Sequence, residues 1–448
     1  MRTLEAWLAL LEQRHPRAID LGLERCGLVY RKLGSPRPAK KVITVAGTNG
    51  KGSTVAYLAA MSGGLGQRYG TYTSPHILRF NERISIMSEP VSDQQLVDAF
   101  EQVEAARDDV SLTYFEFTTL AALLILQQSE LDCAVLEVGL GGRLDTVNLV
   151  DADCAVITPI GLDHQDFLGP DITSIATEKA GIIRAGIPVV CTGSHPPLPV
   201  IQVAADLHAK VYRRGHDFDL HESADPDRAG DLIYSLGDQS MTVPRPPMLG
   251  KHQVDNLAAA LTALVLMNPG SMEKGCMEKQ AEIAAAIQQT RVAGRLQQIH
   301  TAPRILVDVG HNTLAAEAVA EYLHLNNQTA VICVLSMLAD KPAEPVALAL
   351  NDVCGHWLCA DSPGERGQAG ALLAGRIKDV LPSAQVNAVE SVGAAMEKAL
   401  SLAGKDDTIL VFGSFSTAAD AFTWLQNSIK SPQHSKLDQS GNPGSING

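Results

Sequence analysis

The fold is decided by the stretch Val42-Ile-Thr-Val-Ala-Gly-Thr-Asn-Gly-Lys-Gly-Ser-Thr54. Its first five residues are apolar or β-branched and predict a strand that is buried on both faces. The glycines that follow predict a tight turn, and a helix is expected after it, near 53–62. Glycines let backbone N–H groups turn toward phosphate oxygens, and the first turn of a helix adds a partial positive charge. A strand, a glycine-rich turn and a helix in this order therefore predict a phosphate loop.

The side chains of this loop favour a nucleotide as its ligand. Lys51 can neutralise the β- and γ-phosphates, and Ser53 or Thr54 can reach a magnesium ion. The general pattern G-x-x-x-x-G-K-[ST] is matched only in part, because Val45 stands at the first glycine and Gly52 separates the lysine from the hydroxyl. We expect an unusual subclass of nucleotide-binding loop. The alternative is a glycine-rich turn that only links a strand to a helix.

Strands and helices alternate along the rest of the chain. Six more near-continuous apolar runs predict buried strands, at 133–138, 154–158, 187–191, 305–309, 330–335 and 409–412. This alternation is typical of an α/β protein with parallel sheets. A helical pattern ends and a Gly-Arg turn follows near 290–295, which marks the expected domain boundary. We predict an ATP-binding domain over 1–293, a smaller Rossmann-like α/β domain over 294–430 and a disordered polar tail over 431–448.

Length and composition restrict the class of protein. The chain has 448 residues, more than one hydrophobic core usually organises. The net charge of −14 argues against non-specific binding to nucleic acid or an anionic membrane, because both need a basic face. None of the eight cysteines forms a Cys-x-x-Cys pair, so we expect buried thiols in a reducing compartment. No apolar stretch approaches the roughly 20 residues that cross a bilayer, and the amino terminus lacks the apolar core of a signal peptide. We therefore expect a cytoplasmic protein.

The loop at Val45–Ser53 resembles the phosphate loop of the folylpolyglutamate synthases, which are relatives of the Mur ligases. The Mur loop itself is similar to G-T-x-G-K-[ST] and lacks the extra glycine. Further segments resemble the same family in the same order: Thr73–His76, Glu82–Ile84, Glu137–Asp145, Gly161–His164, Glu178–Gly181, Gly250–Asn256, Gly294–Arg295, Asp308–Asn312 and Phe412–Phe415. The resemblance covers residues 1–425, approximately, and implies a Mur-ligase-like ATPase domain followed by a glutamate ligase domain.

One segment indicates which group within this family the chain resembles most. Ile19–Arg25 resembles the pterin-binding stretch of the bacterial enzymes that are both dihydrofolate synthases and folylpolyglutamate synthases. This resemblance implies a dihydropteroate pocket made by three short segments: Ile19, Asp20, Leu21 and Gly22; Thr113, Tyr114, Phe115 and Glu116; and Leu144, Asp145 and Thr146. The alternative reading of Ile19–Arg25 is an early amphipathic helix with its cap.

The resemblance implies a reaction in two steps. A carboxylate of the acceptor attacks the γ-phosphate of ATP and gives an acyl phosphate and ADP. The amine of L-glutamate then attacks the activated carbonyl, and phosphate leaves. The acceptor is 7,8-dihydropteroate in one activity and a reduced folate in the other. In such a reaction the protein has to position groups and stabilise developing negative charge.

The resemblance also implies the site residues. The ATP contacts are Thr48, Asn49, Gly50, Lys51, Gly52, Ser53, Asn256, Arg295 and Asp308, the last two from the linker and the second domain. Two magnesium ions are implied beside Ser74, Glu137, His164 and Lys179, the lysine as a carbamate. Catalytic roles fall to Lys51, Lys179, His164 and His311, and Ser414 is expected to face L-glutamate together with His311. Without the resemblance, Glu137 reads as a salt-bridged carboxylate, His164 as a helix cap and Lys179 as a surface lysine.

Three other functions stay open at this point. A folylpolyglutamate synthase without dihydrofolate synthase activity shares nearly all the motifs, and only Ile19–Arg25 and Thr113–Glu116 argue against it. A Mur-type ligase is disfavoured by Gly52 and by the lack of a separate amino-terminal UDP-binding domain. A non-catalytic nucleotide-binding regulator would be expected to have lost Lys51, Glu137 or His164, and all three are present. We expect a monomer with no nucleic-acid or membrane partner.

Overall fold

The computed structural model describes residues 2–17, 19–224, 230–270 and 277–429. The predicted tail at 431–448 and Cys276 lie outside the described residues. The described part of the chain divides into two compact units, one made of 2–247 with 253–290 and the other of 248–252 with 291–429.

The first unit contains an eight-stranded sheet flanked by helices. Its helices are α1 (Leu4–Arg14), α2 (Glu24–Lys32), α3 (Lys51–Gly64), α4 (Asp93–Arg107), α5 (Tyr114–Gln128), α6 (Gln165–Leu168), α7 (Ile172–Ala180), α8 (Leu198–Asp206), α9 (Lys251–Met267) and α10 (Met277–Gln289). Its strands are β1 (Ala39–Ala46), β2 (Tyr69–Tyr72), β3 (Ile84–Ile86), β4 (Glu89–Pro90), β5 (Leu131–Glu137), β6 (Cys154–Ile157), β7 (Pro188–Cys191), β8 (Lys210–Arg213), β9 (Phe218–Glu222), β10 (Asp231–Leu236) and β11 (Gln239–Pro244). The large sheet has the order β4-β3-β2-β5-β1-β6-β7-β8, and β9–β11 form a separate antiparallel sheet.

Strand β1 explains why the first quoted stretch is so apolar. It lies between β5 and β6 and pairs in parallel with both. Val42, Ile43 and Val45 are at most 1% exposed, as expected for a strand covered on both faces. Val45 pairs with Glu137, so β1 and β5 end at the same edge of the sheet. The loops that follow these strands therefore meet at that edge, where ligands bind in open α/β sheets.

The second unit is built on a six-stranded sheet. Its helices are α11 (Thr313–Leu325), α12 (Ala343–Leu350), α13 (Gly370–Val380), α14 (Val392–Leu402) and α15 (Phe415–Ile429). Its strands are β12 (Gln297–Thr301), β13 (Arg304–Val307), β14 (Val331–Leu335), β15 (Cys354–Ala360), β16 (Gln385–Val389) and β17 (Thr408–Phe412). The order is β12-β13-β17-β14-β15-β16, and only β12 is antiparallel to its neighbour. The predicted α/β class and all seven strands predicted for the two units are confirmed.

Two predictions from composition can be compared with the described residues. The seven described cysteines are all buried and carry free thiols. Among the described residues, none of the helices has both the length and the hydropathy that a membrane span requires.

Candidate active site

The phosphate loop joins β1 to α3 and lies against α9. Gly50 has φ +86°, in the left-handed region, and immediately precedes α3. A Cβ atom at Gly50 would lie 2.5 Å from Oδ1 of Asn256, so only glycine fits between the loop and that side chain. Asn256 is 1% exposed and donates a hydrogen bond to Oε1 of Gln253. The first unit therefore brings two of the predicted ATP contacts, Gly50 and Asn256, into contact.

The loop is also fixed to the segment that follows β6. The backbone N–H of Thr48 donates to the carbonyl oxygen of Pro159 at 2.8 Å. The Thr48 hydroxyl donates to the Gly161 carbonyl at 3.1 Å and accepts from the Gly161 N–H at 3.0 Å. The loop is thus held in one conformation by contacts on both sides, as a binding loop that must not reorganise requires.

The two hydroxyls after Lys51 differ in their surroundings. Thr54 Oγ1 donates to the carbonyl oxygen of Gly50 at 2.9 Å, which is a contact within the first turn of the helix. Ser53 is fully buried, and its Oγ has no hydrogen-bond partner among the residues that the structure describes. A buried hydroxyl without a partner costs free energy unless a ligand completes its hydrogen bonding. Of the two hydroxyls that the sequence offered, Ser53 is the one that fits a bound ligand.

Lys179 lies in the last turn of α7 and is buried. Only 4% of the residue is exposed, and Nζ donates to the carbonyl oxygen of Gly47 at 2.8 Å. Nζ of Lys51 donates to the same carbonyl oxygen at 3.1 Å. Burial and the nearby charge of Lys51 lower the pKa of Lys179 to about 7, although Asp163 and Asp145 oppose the shift. The reading of Lys179 as an ordinary surface lysine is therefore wrong.

Ser74 and Glu137 meet at the carboxyl end of the sheet. Glu137 is the last residue of β5 and is 5% exposed. The backbone N–H of Ser74 donates to its Oε2 at 3.3 Å. Two residues of the predicted magnesium site are thus adjacent, and both offer oxygen atoms, which magnesium prefers.

His164 immediately precedes the short helix α6 and has a left-handed conformation, with φ +52°. Its backbone N–H donates to Oδ1 of Asp163 at 2.9 Å, and its Nε2 lies 3.9 Å from Oδ2 of the same residue. Asp163 therefore orients His164, whereas Asp166 is the second residue of α6. A non-glycine residue in the left-handed region is uncommon, and such residues are concentrated at functional sites.

The first two pterin-related segments are joined by an ion-pair network. Arg25 pairs with Oδ2 of Asp20 at 2.8 Å and with Oε1 of Glu116 at 3.0 Å. Thr113 and Glu116 form the capping box of α5, in which Oε2 of Glu116 accepts from the Thr113 N–H at 2.8 Å. The structure brings Ile19–Gly22 to the amino end of α5, although these segments are separated by about 90 residues of sequence.

The third segment contributes a buried carboxyl group. Asp145 is 2% exposed and accepts from the backbone N–H groups of Leu140 and Val147 at 2.8 and 2.9 Å. Burial raises the pKa of Asp145 to about 6, against the effect of those N–H groups and Lys51. A Cβ atom on Gly139 would lie 2.4 Å from the ring of Phe115 and 3.3 Å from Oδ2 of Asp145. Phe115 and Asp145 therefore flank one glycine, which brings the second and third segments together.

Two of the predicted residues in the second unit, Asp308 and His311, lie just after β13. Asp308 is buried and accepts from the N–H groups of Leu296 and Gly310, both at 2.7 Å. Burial raises the pKa of Asp308, although the nearby Arg295 opposes the rise. His311 Nδ1 lies 3.1 Å from the carbonyl oxygen of Val309.

Arg295 and Ser414 are placed by the first turn of α15. The Arg295 guanidinium lies 5.1 Å from the centre of the Phe415 ring, within the range of a cation–π contact. The Ser414 hydroxyl lies 2.7 Å from Oγ1 of Thr417 and accepts from the Thr417 N–H at 3.0 Å, so it caps that turn.

Two residues outside the predicted site also touch it. The ring of Tyr72 packs on Phe115 with centroids 6.3 Å apart, and the Cys26 thiol donates to the carbonyl oxygen of Gly22 at 3.5 Å. Tyr72 is the last residue of β2 and Cys26 lies within α2, so neither carries a local signal of function. Only their spatial neighbours indicate a role.

Comparison with known proteins agrees with these observations. The Mur ligase middle domain family model matches residues 45–264, and the model of the Mur ligase glutamate ligase domain matches 294–415. The dihydrofolate synthase/folylpolyglutamate synthase of Escherichia coli (strain K12) is 38% identical over 421 residues, which cover 93% of this chain and 94% of that protein.

Solved structures give the same result. E. coli FolC in complex with DHPP and ADP superimposes with a TM-score of 0.87 at 35% identity, covering 96% of this chain and 99% of that one. A bifunctional folylpolyglutamate synthase/dihydrofolate synthase with Mn, AMPPNP and L-glutamate bound gives a TM-score of 0.84 at 36% identity, covering 95% and 98%. The chain therefore belongs to the Mur ligase superfamily and, within it, to the dihydrofolate synthase/folylpolyglutamate synthase family.

Proposed function

We propose that this chain uses ATP to join L-glutamate to 7,8-dihydropteroate, which forms dihydrofolate, and then adds further glutamates to reduced folates. The observation that carries the proposal is the meeting of the three pterin-related segments through Arg25, Glu116 and Phe115. These segments resemble the pterin-binding stretch of the bifunctional enzymes, which favours dihydrofolate synthase activity over folylpolyglutamate synthase activity alone. Membership of the family and the DHPP and ADP that E. coli FolC binds support the same activity.

In this proposal the phosphate loop holds ATP through Thr48–Ser53 together with Asn256. The backbone N–H groups at the start of α3 point toward the phosphates, and Lys51 adds a positive charge. Lys51 donates to two carbonyl oxygens of its own loop, those of Gly47 and Thr48, both at 3.1 Å, and it exchanges these for phosphate oxygens when ATP binds. Arg295 and Asp308 are proposed as further nucleotide contacts.

The residues of the first unit fit magnesium. Glu137 offers a buried carboxylate beside Ser74, and the Ser53 hydroxyl is buried without a partner among the described residues. These are hard oxygen donors, whereas His164, our other proposed ligand, offers nitrogen, which magnesium takes less readily. When bound, magnesium neutralises the charge of the phosphates and of the acyl phosphate's leaving oxygen. The relatives solved with AMPPNP carry manganese, which favours similar ligands.

Lys179 is proposed to act as a carbamate that supplies another oxygen ligand. Carbon dioxide adds to a neutral amine, and a pKa of about 7 gives Lys179 a large neutral fraction at physiological pH. An ordinary lysine with a pKa near 10.4 would be almost fully protonated there. The carbamate would also replace one of the two cations beside the Gly47 carbonyl by an anion.

The remaining roles concern the acceptor and L-glutamate. The buried Asp145 and the Thr113–Glu116 capping box are proposed to bind the pterin ring, with Ile19–Gly22 covering it and Leu144 and Thr146 beside it. His311 and Ser414 are proposed to face L-glutamate. The acceptor carboxylate then attacks the γ-phosphate, and the glutamate amine attacks the acyl phosphate in the second step.

An isotope experiment tests the acyl phosphate. Dihydropteroate carrying ¹⁸O in its carboxylate is incubated with ATP, magnesium and L-glutamate. We expect ADP, dihydrofolate and phosphate that contains one ¹⁸O atom, because the carboxylate oxygen leaves with the phosphoryl group. Formation of AMP, or of unlabelled phosphate, would contradict the proposed route.

Two further proposals concern the molecule in the cell. We propose a cytoplasmic monomer that binds no nucleic acid. Light scattering of the eluted protein during gel filtration, with and without ATP, should give the mass of one chain. A dimer mass under both conditions would contradict the proposal.

A further inference from the structure

Arg214 connects three pieces of the first unit. It directly follows β8, and its backbone N–H donates to the carbonyl oxygen of Cys191, the last residue of β7. Its side chain leaves the large sheet: Nη2 donates to the carbonyl oxygen of Leu220 in β9 at 2.9 Å, and Nη1 pairs with Oδ1 of Asp255 in α9. Nε lies 3.4 Å from Oδ1 of Asp219, which is also in β9. One planar guanidinium therefore holds the small antiparallel sheet and α9 against the edge of the large sheet.

The ion pair between Arg214 and Asp255 is partly buried and has no substitute. The two side chains are 18% and 34% exposed. Within the described part of the chain, Arg214 is the one cation at ion-pair distance from Asp255. Three nitrogens of Arg214 each face a different oxygen, which suits the fork of an arginine but not the single ammonium group of a lysine. Loss of Arg214 would leave Asp255 without its partner, and the carboxylate would turn toward water.

Asp255 immediately precedes the residue that touches the phosphate loop. Asn256 is 1% exposed, and its Oδ1 occupies the space that a Cβ atom on Gly50 would need. Two turns further along α9, the Thr262 hydroxyl lies 2.9 Å from the hydroxyl of Tyr234 in β10, and both residues are fully buried. The arginine junction and the small sheet thus hold α9 at two positions seven residues apart, which lie on one face of a helix. The charged contact is the one next to Asn256.

We propose that Arg214 is a positioning residue for the nucleotide: by pairing with Asp255 it fixes the amino-terminal part of α9, so that Asn256 holds the phosphate loop in the conformation that binds ATP. The inference rests on the proposed function, in which Asn256 and the loop are ATP contacts. Asp255 and Asn256 are consecutive in a helix, so a shift of the first displaces the second. Hydrogen bonds to phosphate weaken steeply when their donors move or tilt. The small antiparallel sheet therefore supports nucleotide binding, although none of its residues is a proposed ATP contact.

The test measures ATP binding and ATP kinetics in variants of the full-length protein. Arg214→Met removes the guanidinium but keeps an unbranched side chain, and Asp255→Asn removes the carboxylate charge at nearly the same size. Arg245→Met is the matched control, because Arg245 also follows a strand directly and pairs with a carboxylate, Glu222, that belongs to the small sheet rather than to α9. Calorimetric titration gives the Kd for ATP, and initial rates with a tetrahydrofolate give KM for ATP and for L-glutamate. Thermal unfolding of each variant separates lost stability from lost positioning.

We expect Arg214→Met to raise the Kd and the KM for ATP about tenfold, whereas the KM for L-glutamate should stay within about twofold of the wild type. Asp255→Asn should cause a loss of the same order. The double variant should also lose about tenfold, rather than the roughly hundredfold of two independent sites, because both changes break one contact. Arg245→Met should bind ATP like the wild type.

Equal Kd values for ATP in Arg214→Met and Arg245→Met would overturn the inference, and so would a double variant whose loss is the product of the two single losses. A fall in thermal stability with an unchanged Kd for ATP would also overturn it, because Arg214 would then be a structural contact only. If Arg214→Met fails to fold, the comparison of Asp255→Asn with Arg245→Met decides between the same outcomes. A wild-type protein that does not bind ATP would instead refute the proposed function, on which the inference rests.

Discussion

At the scale of single residues, burial determines the chemistry of Lys179. In the sequence this lysine looks like any other in a helix that ends at a glycine. In the folded chain it is 4% exposed and shares the Gly47 carbonyl oxygen with Lys51, and its pKa falls to about 7. The sequence could predict the position of Lys179 only through a family resemblance, because burial depends on β1 and α7 meeting in space.

The lowered pKa predicts how stability depends on pH. Between about pH 7 and the unfolded value near 10.4, the unfolded chain binds one more proton at Lys179 than the folded chain does. The free energy of unfolding should therefore gain from this residue as pH rises through that range, by at most about 1.4 kcal/mol per pH unit. Below pH 7 Lys179 is protonated in both the folded and the unfolded chain, so the folded chain carries the full cost of burying its charge.

Urea unfolding of the wild type and of Lys179→Met from pH 6 to 10 measures this effect. The buffers are free of metal and carbon dioxide, so that only protonation changes. We expect the free energy of unfolding of the wild type to increase relative to that of Lys179→Met as pH rises above 7. A difference that is constant over the whole range would show that Lys179 keeps an ordinary pKa.

Glu137 makes a second prediction at this scale. Glu137→Gln keeps the size of the side chain but removes the negative charge that a magnesium ligand needs. The magnesium concentration for half-maximal ADP formation should rise about tenfold or more, in the range found for lost metal-site interactions. Glu101→Gln, an exposed site in the same unit, is the control and should not change it. An unchanged magnesium requirement in Glu137→Gln would remove Glu137 from the metal site.

At the scale of elements, the conformation of the phosphate loop depends on its contact with α9. The loop could be predicted from sequence because strand, glycines, lysine and hydroxyl are contiguous. Its contact with Asn256 could not be derived from local pattern, because about 200 residues separate them. The same limit applies to β3 and β4, which extend the parallel sheet with antiparallel strands of three and two residues and are too short to give an alternating pattern.

Gly50 allows this contact to be tested. Gly50→Ala places a Cβ atom 2.5 Å from Oδ1 of Asn256, whereas a Cβ atom at Gly66, with φ +74°, meets nothing within 4 Å. Both substitutions carry a left-handed backbone cost of about 1–2 kcal/mol, but only the first displaces the loop. Calorimetric titration with ATP should show lost binding in Gly50→Ala and near-normal binding in Gly66→Ala. Equal affinities in the two variants would mean that Asn256 does not restrict the loop.

At the scale of the whole molecule, the chain repeats one arrangement, a parallel sheet with polar residues after the carboxyl ends of its strands. In the first unit these residues are the phosphate loop and Glu137, and in the second they include Asp308 and Ser414. Apolar runs are enough to predict such sheets, since strands buried on both faces cannot be polar. The segment Met248–His252 belongs to the second unit, although α9 continues from Gln253 onward as part of the first unit. No local sequence pattern could show this division.

The central claim is that one enzyme glutamylates two acceptors, and ADP release by the purified protein tests it most directly. ATP, magnesium and L-glutamate are supplied with either 7,8-dihydropteroate or a tetrahydrofolate, and the products are identified by mass. We predict ADP release with both acceptors, with one glutamate added to the pteroate and at least one to the folate. ADP release with the tetrahydrofolate alone would contradict the dihydrofolate synthase activity, and release with neither would contradict the whole assignment.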